Sequence, residues 1–229
     1  MICGVVPARG GSKGVPGKNV RTLLGRPLIC RTIQAAQAST ELGRLLVSTD
    51  DDEIASISRE AGAEVPFKRP AEISGDASTT FEVLRHAVMW VEQQSQVRID
   101  AVVTLQPTSP FRRAEHIDAA IRLWRESGAP SVISVCRAEH SPYWMGQLEG
   151  NLFLPLLGEV HRHPQRQALP DVFRLNGAVY VTSRKTLLEE GRILGEGTRA
   201  IVMTEDESLD IDTELDFTIG ELIAARNGW

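Results

Sequence analysis

The sequence lacks the features of a membrane-spanning, secreted or disulfide-stabilised protein. No apolar run approaches the roughly 20 residues that a helix needs to cross a bilayer, and the start has no basic segment followed by a long apolar stretch. Cys3, Cys30 and Cys136 are odd in number and far apart, which indicates neither a disulfide framework nor a zinc site. We therefore expect a soluble, cytoplasmic protein with no membrane partner.

Acidic residues are missing from the first part of the chain. Positions 1–40 contain no Asp or Glu. They do contain six basic residues: Arg9, Lys13, Lys18, Arg21, Arg26 and Arg31. Seven carboxylates lie between Glu205 and Asp216. This asymmetry indicates either solvated surface at both ends or an anion site at one end and a cation site at the other, while the net charge of -5 argues against a nucleic-acid partner.

The 229 residues suffice for a single domain with one substantial core. Short runs rich in β-branched residues alternate with segments whose apolar residues recur at helical spacing. The predicted strands are residues 2–7, 45–48, 101–105, 131–135, 178–182 and 201–203. Helices are predicted between them, one behind a capping box at Thr79 and Glu82, and a last one from Thr213. The alternation predicts an α/β fold with a mostly parallel sheet and helices on both faces.

The alternation breaks between Cys136 and Leu175. Proline and glycine divide this stretch into short apolar pieces. A structureless loop of this length is unusual in a compact domain. We interpret residues 136–175 as an inserted arm of hairpin-like pieces that packs on something else, with a partner subunit as one candidate.

A glycine-rich basic segment follows the first predicted strand. Its four glycines, at 10, 11, 14 and 17, let backbone N–H groups approach a ligand closely. Arg9, Lys13 and Lys18 supply positive charge for a triphosphate. Ligands of such sheets bind beyond the carboxyl ends of the strands, so the segment is either a phosphate cradle or a solvated turn. It matches neither the P-loop nor the dinucleotide-binding pattern, which argues against a P-loop ATPase and a dinucleotide-dependent oxidoreductase.

Three further segments carry groups suited to ligand binding. Gln106, Thr108 and Ser109 follow a predicted strand and offer amide and hydroxyl groups to a nucleobase, although they also make a good turn. Asp210 and Asp212 would share one side of an extended segment and suit Mg²⁺, unless Asp212 or Thr213 merely caps the last helix. The fourth segment offers Arg166 and Arg174 for a carboxylate, and Gln167 and Asn176 for hydroxyl or amide groups; its arginines are otherwise surface pairs.

Taken together and in order, five segments resemble those of the CMP-sialic acid synthetases, also called acylneuraminate cytidylyltransferases. They are residues 7–19, 47–50, 105–110, 173–181 and 210–216. The resemblance runs nearly end to end. It implies a Rossmann-like nucleotidyltransferase fold over residues 1–229 and a homodimer in which the arm reaches over the neighbouring active site.

Carried over by matching position, the resemblance implies a role for individual residues. The implied nucleotide contacts are Arg9, Gly11, Ser12, Lys13, Lys18, Asn19, Thr79, Gln106 and Thr108. The implied contacts to the acceptor sugar are Gln106, Ser109, Arg166, Gln167, Arg174 and Asn176. Asp210 and Asp212 resemble the family's Mg²⁺ ligands, with Mn²⁺ as a substitute, and Arg9, Lys18 and Asp210 are the implied catalytic residues. Asp76 and Thr79 align less well, since their stretch differs in length from that of some members.

The implied reaction is in-line attack of a sugar's C2 hydroxyl on the α-phosphate of CTP, with release of pyrophosphate and no nucleophilic residue. N-acetylneuraminate, its deaminated analogue, legionaminate and pseudaminate all share the carboxylate and anomeric centre, so each stays a candidate acceptor. A synthetase for the eight-carbon acid of lipopolysaccharide is less favoured, because that family begins with a different loop. A nucleotide-binding regulator that has lost catalysis is the non-enzyme alternative, and intact Arg9, Lys18, Asp210 and Asp212 argue against it.

Overall fold

The computed structural model describes residues 1–12, 14–157 and 169–229. Ten strands are described: β1 (Ile2–Pro7), β2 (Thr22–Leu23), β3 (Arg26–Pro27), β4 (Arg44–Ser48), β5 (Ala101–Thr104), β6 (Ser131–Arg137), β7 (Gly146–Glu149), β8 (Leu152–Pro155), β9 (Phe173–Ser183) and β10 (Arg199–Val202). The α-helices described are α1 (Leu28–Gln37), α2 (Asp52–Glu60), α3 (Thr80–Ser95), α4 (Ala114–Ser127), α5 (Arg184–Leu188) and α6 (Glu214–Asn227). This element order confirms the predicted alternation of strands and helices.

Six strands form the central sheet in the order β10-β6-β9-β5-β1-β4. The pairs β1–β4, β1–β5 and β6–β10 are parallel, whereas β9 runs antiparallel between β5 and β6. The predicted α/β class and mostly parallel sheet are confirmed. Strand β9 is longer than predicted, because Phe173–Leu175 pair with the end of β6 although their side chains are exposed and show no buried-strand pattern.

Helices cover both faces of the sheet. Neighbouring residues of β1 face opposite sides of the sheet. Val6 packs with α1 and α4 on one face, and Val5 packs with α3 on the other. Each fully buried aliphatic side chain of this kind contributes about 1.5–3 kcal/mol. Helix α3 begins at the predicted capping box, in which Thr79 and Glu82 bond reciprocally. None of the described helices is both long and apolar enough to cross a membrane.

An irregularity in the pairing of β6 with β9 brings polar side chains into the core. The register of the β6–β9 pair shifts between Ile133 and Val135. At this shift Ser134 and Asn176 form side-chain hydrogen bonds in place of the regular backbone bonds between the two strands. Asn176 Oδ1 accepts from Ser134 Oγ at 2.6 Å, and Asn176 Nδ2 donates to Ser208 Oγ at 2.9 Å. The shift thereby ties β9 to the segment that precedes Asp210.

The chain leaves the sheet after β6 and returns to it at β9. Between them, β7 and β8 form a separate two-stranded hairpin. Several of the large apolar side chains on and around this hairpin are exposed: Trp144, Met145, Leu148, Leu152, Phe153, Leu156 and Leu157. The hairpin falls within the stretch that we interpret as an arm.

Candidate active site

A cleft of about 330 Å³ opens beyond the carboxyl ends of β1 and β5. Eight of the predicted nucleotide-binding residues line it: Arg9, Gly11, Ser12, Lys18, Asn19, Thr79, Gln106 and Thr108. The ninth, Lys13, lies outside the described residues, as do the predicted sugar contacts Arg166 and Gln167. Segments as far apart as residues 9 and 108 therefore share one cavity, as expected for ligand sites of α/β sheets.

The glycine-rich loop is held in shape by its own neighbours. Asn19 Nδ2 donates to the carbonyl oxygen of Arg9 at 3.0 Å, and the Gly10 N–H donates to Asp50 Oδ1 at 3.2 Å. A Cβ on Gly14 would overlap the carbonyl oxygen of Asp212. The loop thus approaches the acidic segment so closely that only glycine fits at position 14.

An apolar cluster beneath the loop joins it to the same acidic segment. Val15, Leu23 and Leu28 pack against Ile211 and Phe217, and all five are buried. The Ile211 N–H donates to the carbonyl oxygen of Thr108 at 2.8 Å. One hydrophobic residue between the two aspartates therefore anchors them to both nucleotide-site loops.

Lys18 connects the basic start of the chain with its acidic end. Its Nζ donates to the carbonyl oxygen of Ile211 at 2.8 Å and to Asp212 Oδ1 at 2.9 Å. The lysine side chain is 13% exposed and that of Asp212 is 69% exposed. The two regions of opposite charge in the sequence therefore meet at one point, which favours paired sites over solvated surface.

Asp210 is the less exposed of the two aspartates. Burial raises the pKa of its carboxyl; the nearby Asp212 carboxylate raises it too, while a hydrogen bond from the Thr108 side chain and the charges of Lys18 and Arg174 lower it. Its Oδ1 is buried and has no hydrogen-bond partner among the described residues. The carboxylate consequently lacks part of the compensation that a buried charge requires.

The capping alternative applies to Thr213 rather than to the Asp212 side chain. Thr213 is the N-cap of α6 and shares a capping box with Asp216. The Asp212 N–H donates to Asp216 Oδ2 at 2.9 Å. The helix start thus holds the backbone of Asp212, while its carboxylate points to Lys18.

Arg9 contacts the far wall of the cleft. Its Nη1 donates to the Gly75 carbonyl oxygen at 3.2 Å and lies 2.9 Å from Asp76 Oδ1. The side chain is about one-third exposed, with 35% of its surface accessible. A partly exposed guanidinium whose carboxylate partner among the described residues is itself exposed can turn towards a phosphate at small cost.

The predicted sugar contacts lie in different environments. Ser109 is 1% exposed and donates its Oγ to the Asn176 carbonyl oxygen at 3.3 Å. Asn176 is 2% exposed, and both the oxygen and the nitrogen of its side-chain amide have protein partners. Arg174 is exposed on β9, close enough to Asp210 to stabilise its charged form. In this structure Arg174 is therefore accessible to a ligand, and Asn176 supports the site from within the sheet.

Arg69 is a residue of the cleft that we did not predict. It lines the cavity, its side chain is 3% exposed, and its Nη2 donates to Asp50 Oδ1 at 3.0 Å. Because Asp50 also accepts from Gly10, the arginine supports the glycine-rich loop through one carboxylate. In the sequence, a lone arginine between Lys68 and Pro70 looks like any surface residue.

A mostly parallel α/β sheet with a glycine-rich basic loop facing a pair of carboxylates is typical of an enzyme that binds nucleotides. The family model described as Cytidylyltransferase matches residues 3–145. The chain is also 35% identical to the CMP-N,N'-diacetyllegionaminic acid synthase of Legionella pneumophila, over 99% of this chain and 97% of that protein. The chain therefore belongs to the cytidylyltransferase family, and it is a nucleotidyltransferase.

Other relatives agree with this assignment. The N-acylneuraminate cytidylyltransferase of Escherichia coli is 30% identical over 98% of this chain, which matches 52% of that longer protein. Among solved structures, CMP:2-keto-3-deoxy-manno-octonic acid synthetase complexed with CTP superposes with a TM-score of 0.72 over 99% of both chains. At 18% identity this last likeness concerns the fold alone.

Proposed function

We propose that the protein transfers CMP from CTP to the anomeric C2 hydroxyl of a nine-carbon 2-keto acid sugar in the cytoplasm and releases pyrophosphate. The observation that carries the proposal is the contact with Asp212 that is made by Lys18, a residue lining the cleft where the glycine-rich loop and the Thr108 loop meet. That contact brings a phosphate-binding cation and a cation-binding carboxylate to one place. The names of the relatives, which include synthases of CMP-linked nine-carbon acids, support the sugar class.

The cleft supplies what a nucleoside triphosphate needs. Its volume of about 330 Å³ lies within the range of small-molecule sites. Lys18 and Arg9 are the side chains to bind the phosphates, and the amide of Gln106 and the hydroxyl of Thr108 are the polar groups for base or ribose. Gly11 has open space around its Cα, so its backbone N–H can be approached closely.

Asp210 and Asp212 are the residues to hold a divalent cation, Mg²⁺ or in its place Mn²⁺. Carboxylate oxygens are the ligands that these ions prefer, and Mg²⁺ commonly uses one or two of them together with substrate phosphates. The unpartnered Oδ1 of Asp210 fits this role, because a bound cation would compensate a carboxylate that the described residues leave partly uncompensated. When bound, the cation would neutralise charge on the triphosphate.

The protein's own groups position the reactants and balance charge. Lys18, held by Asp212 and the Ile211 carbonyl, stabilises the negative charge that develops on the departing pyrophosphate. Arg9 fixes the phosphates from the opposite wall. Orientation of the C2 hydroxyl in line with the leaving group supplies much of the acceleration.

The acceptor sugar carries a carboxylate, for which Arg174 is the accessible described guanidinium beside Asp210. Gln106 and Ser109, and Arg166 and Gln167 outside the described residues, complete the proposed sugar contacts. Asn176 would act on the sugar from behind Ser109, whose hydroxyl it holds through its carbonyl oxygen.

We also propose that residues 136–175 form the arm of a homodimer. Leu148 is 71% exposed and Phe153 is 50% exposed on a hairpin that pairs with no other described sheet. Contiguous apolar surface of this kind marks an interface. A second copy of this chain is the proposed partner, with the arm reaching over the neighbouring active site.

The test is pyrophosphate release from CTP and Mg²⁺, measured separately with N-acetylneuraminate, its deaminated analogue, legionaminate and pseudaminate. The eight-carbon acid and a sample without sugar are the controls. Release with at least one nine-carbon acid, and at most weak release with the eight-carbon acid, is expected. Release only with the eight-carbon acid would replace the sugar class, and CTP binding without release under any condition would favour the nucleotide-binding regulator.

A further inference from the structure

Glu207 is a buried carboxylate that the proposed reaction does not use. It lies in the short 3₁₀ helix Asp206–Ser208, three residues before Asp210, and its side chain is 7% exposed. Ionised carboxylates are rarely buried to this degree unless they are paired and hydrogen-bonded. Its position next to the aspartate pair raises the question of what the carboxylate holds in place.

The two oxygens of Glu207 bind two different parts of the molecule. Oε2 accepts from the Thr204 N–H at 3.2 Å and from Thr204 Oγ1 at 2.8 Å, which closes the 3₁₀ turn on itself. Oε1 forms an ion pair with Arg113 and lies 3.6 Å from His116 Nε2. One carboxylate therefore joins the segment that leads to Asp210 with the start of α4.

The start of α4 is continuous with the Thr108 loop. Arg113 is the N-cap residue of α4, and its own N–H donates to His116 Nδ1 at 3.1 Å. The preceding residue, Arg112, is buried and donates to the Gln106 carbonyl oxygen at 3.0 Å. Movement of the α4 start would consequently move the loop that carries Gln106 and Thr108.

The same 3₁₀ helix is held from a second side. Ser208 Oγ donates to the Thr204 carbonyl oxygen at 2.7 Å and accepts from Asn176 Nδ2 at 2.9 Å. Asn176 belongs to β9 and fixes the segment to the sheet, whereas Glu207 fixes it to α4. The Ile211 N–H bond to the Thr108 carbonyl oxygen is a further link. With these contacts intact, loss of Glu207 would leave a folded segment that has lost its bond to the start of α4.

We propose that Glu207 is a positioning residue that sets the distance between Asp210 and the Thr108 loop and thereby the affinity of the site for a divalent cation. This rests on the proposed function only in taking Asp210 and Asp212 as the cation ligands. Residues that orient metal ligands from behind typically change metal affinity or activity by about 10–100-fold when they are removed. The effect expected at Glu207 is of that order.

The first measurement is direct binding of Mn²⁺ in the presence of CTP and without sugar. The effect of Mn²⁺ on water-proton relaxation reports the binding. We expect Glu207→Gln to raise the Mn²⁺ dissociation constant by about 10-fold or more. In the pyrophosphate assay we expect the Mg²⁺ concentration for half-maximal rate to rise in parallel.

Glu92→Gln is the matched control. Glu92 is a partly buried carboxylate, with 21% of its side chain exposed. It pairs with Arg184 at 2.8 Å and 3.1 Å and accepts from the Ile99 N–H at 3.0 Å, but it joins α3 to α5 away from the cleft. The Glu92→Gln protein should lose about as much thermal stability as the Glu207→Gln protein, but its Mn²⁺ affinity should be unchanged. Equal Mn²⁺ affinity of the Glu207→Gln, Glu92→Gln and wild-type proteins would overturn the proposal.

Arg113→Ala provides a second variant if Glu207→Gln does not fold, because it removes the bond to α4 and leaves the Thr204 bonds of Glu207 in place. It should weaken Mn²⁺ binding in the same direction, and an unchanged affinity would count against the proposal. The binding assay also separates the two proposals. A wild-type protein that binds Mn²⁺ with CTP but transfers to no sugar would end the proposed function, whereas the comparison of variants would still decide the role of Glu207.

Discussion

Lys18 Nζ lies 2.9 Å from Asp212 Oδ1 although 194 positions separate the two residues in the chain. The contact joins the basic and acidic ends of the sequence beside the cleft, which Lys18 lines. It also orients the lysine, because the Ile211 carbonyl oxygen accepts from the same nitrogen at 2.8 Å. The lysine that we propose to bind phosphate is thus held in place before any ligand arrives, which lowers the cost of binding.

Replacement of Lys18 by Met should lower kcat strongly, with only a small decrease in the free energy of unfolding. Loss of one preorganised group that faces developing charge typically costs about 10²–10³ in kcat. Steady-state pyrophosphate release measures this. Lys68→Met is the control, since Lys68 forms an exposed pair with Asp52; equal loss in the two variants would contradict the proposed role of Lys18.

Gly14→Ala should destabilise the protein, whereas Gly11→Ala should not. A Cβ at position 14 would overlap the Asp212 carbonyl oxygen, a backbone atom that cannot rotate away, whereas a Cβ at position 11 meets nothing within 4 Å. Overpacking of this kind costs about 1–3 kcal/mol. Urea denaturation of both variants gives the two free energies of unfolding, and equal values would show that the glycine-rich loop can move away from the acidic segment.

Asp210→Asn should make the metal-free protein more stable and the enzyme much less active. At neutral pH the partly buried Asp210 carboxylate, whose pKa is raised by burial, costs folding free energy that a neutral amide of the same shape avoids. The same charge is what the divalent cation needs. A higher thermal midpoint without metal, together with a loss of about 10²-fold or more in kcat, is expected; a lower midpoint would mean that the carboxylate is better compensated than the described contacts indicate.

Asp118 should make stability depend on pH in the acid range. Burial alone would raise the pKa of Asp118, but hydrogen bonds from Ser39, Thr40 and Glu41 outweigh it and lower the pKa. Because the folded pKa is lower than the unfolded value of about 3.9, the carboxylate stabilises the protein above that pH and ceases to do so as the pH falls through its folded pKa.

Asp118→Asn should therefore reduce the free energy of unfolding at pH 7 by about 2 kcal/mol, the value of hydrogen bonds to a charged group. The difference from wild type should shrink below about pH 4. Urea denaturation at a series of pH values measures it. A constant difference across the series would assign the loss to the amide's shape instead of its missing charge.

Phe153→Asp should convert the proposed homodimer to a monomer. Phe153 is half-exposed on β8, and a charge buried in an apolar interface costs several kcal/mol. Sedimentation velocity gives the oligomeric state. Leu222→Asp is the control on a different exposed surface, that of α6; a dimer that persists in Phe153→Asp, or is lost in Leu222→Asp, would move the interface away from the hairpin.

Elements whose local signals agree could be predicted from the chain alone. Ile2–Pro7 and Ala101–Thr104 are short β-branched runs buried on both faces, and Thr79 with Glu82 begins α3 as its capping box requires. These structures depend on neighbouring residues alone, so their pattern is visible in the chain. The predicted glycine-rich segment and the aspartate pair were likewise recognisable by composition and order.

The way in which the segments of the site meet depends on the tertiary fold. Arg69 belongs to the cleft because Asp50 and Gly10 happen to lie beside it, and Asn176 is turned inward by the register shift opposite Ser134. In the sequence, Glu207 is one of seven carboxylates between positions 205 and 216, and only its contact with Arg113 in the fold distinguishes it from the others. Such roles depend on contacts between residues distant in sequence, and no local propensity or spacing encodes the direction in which a side chain finally points.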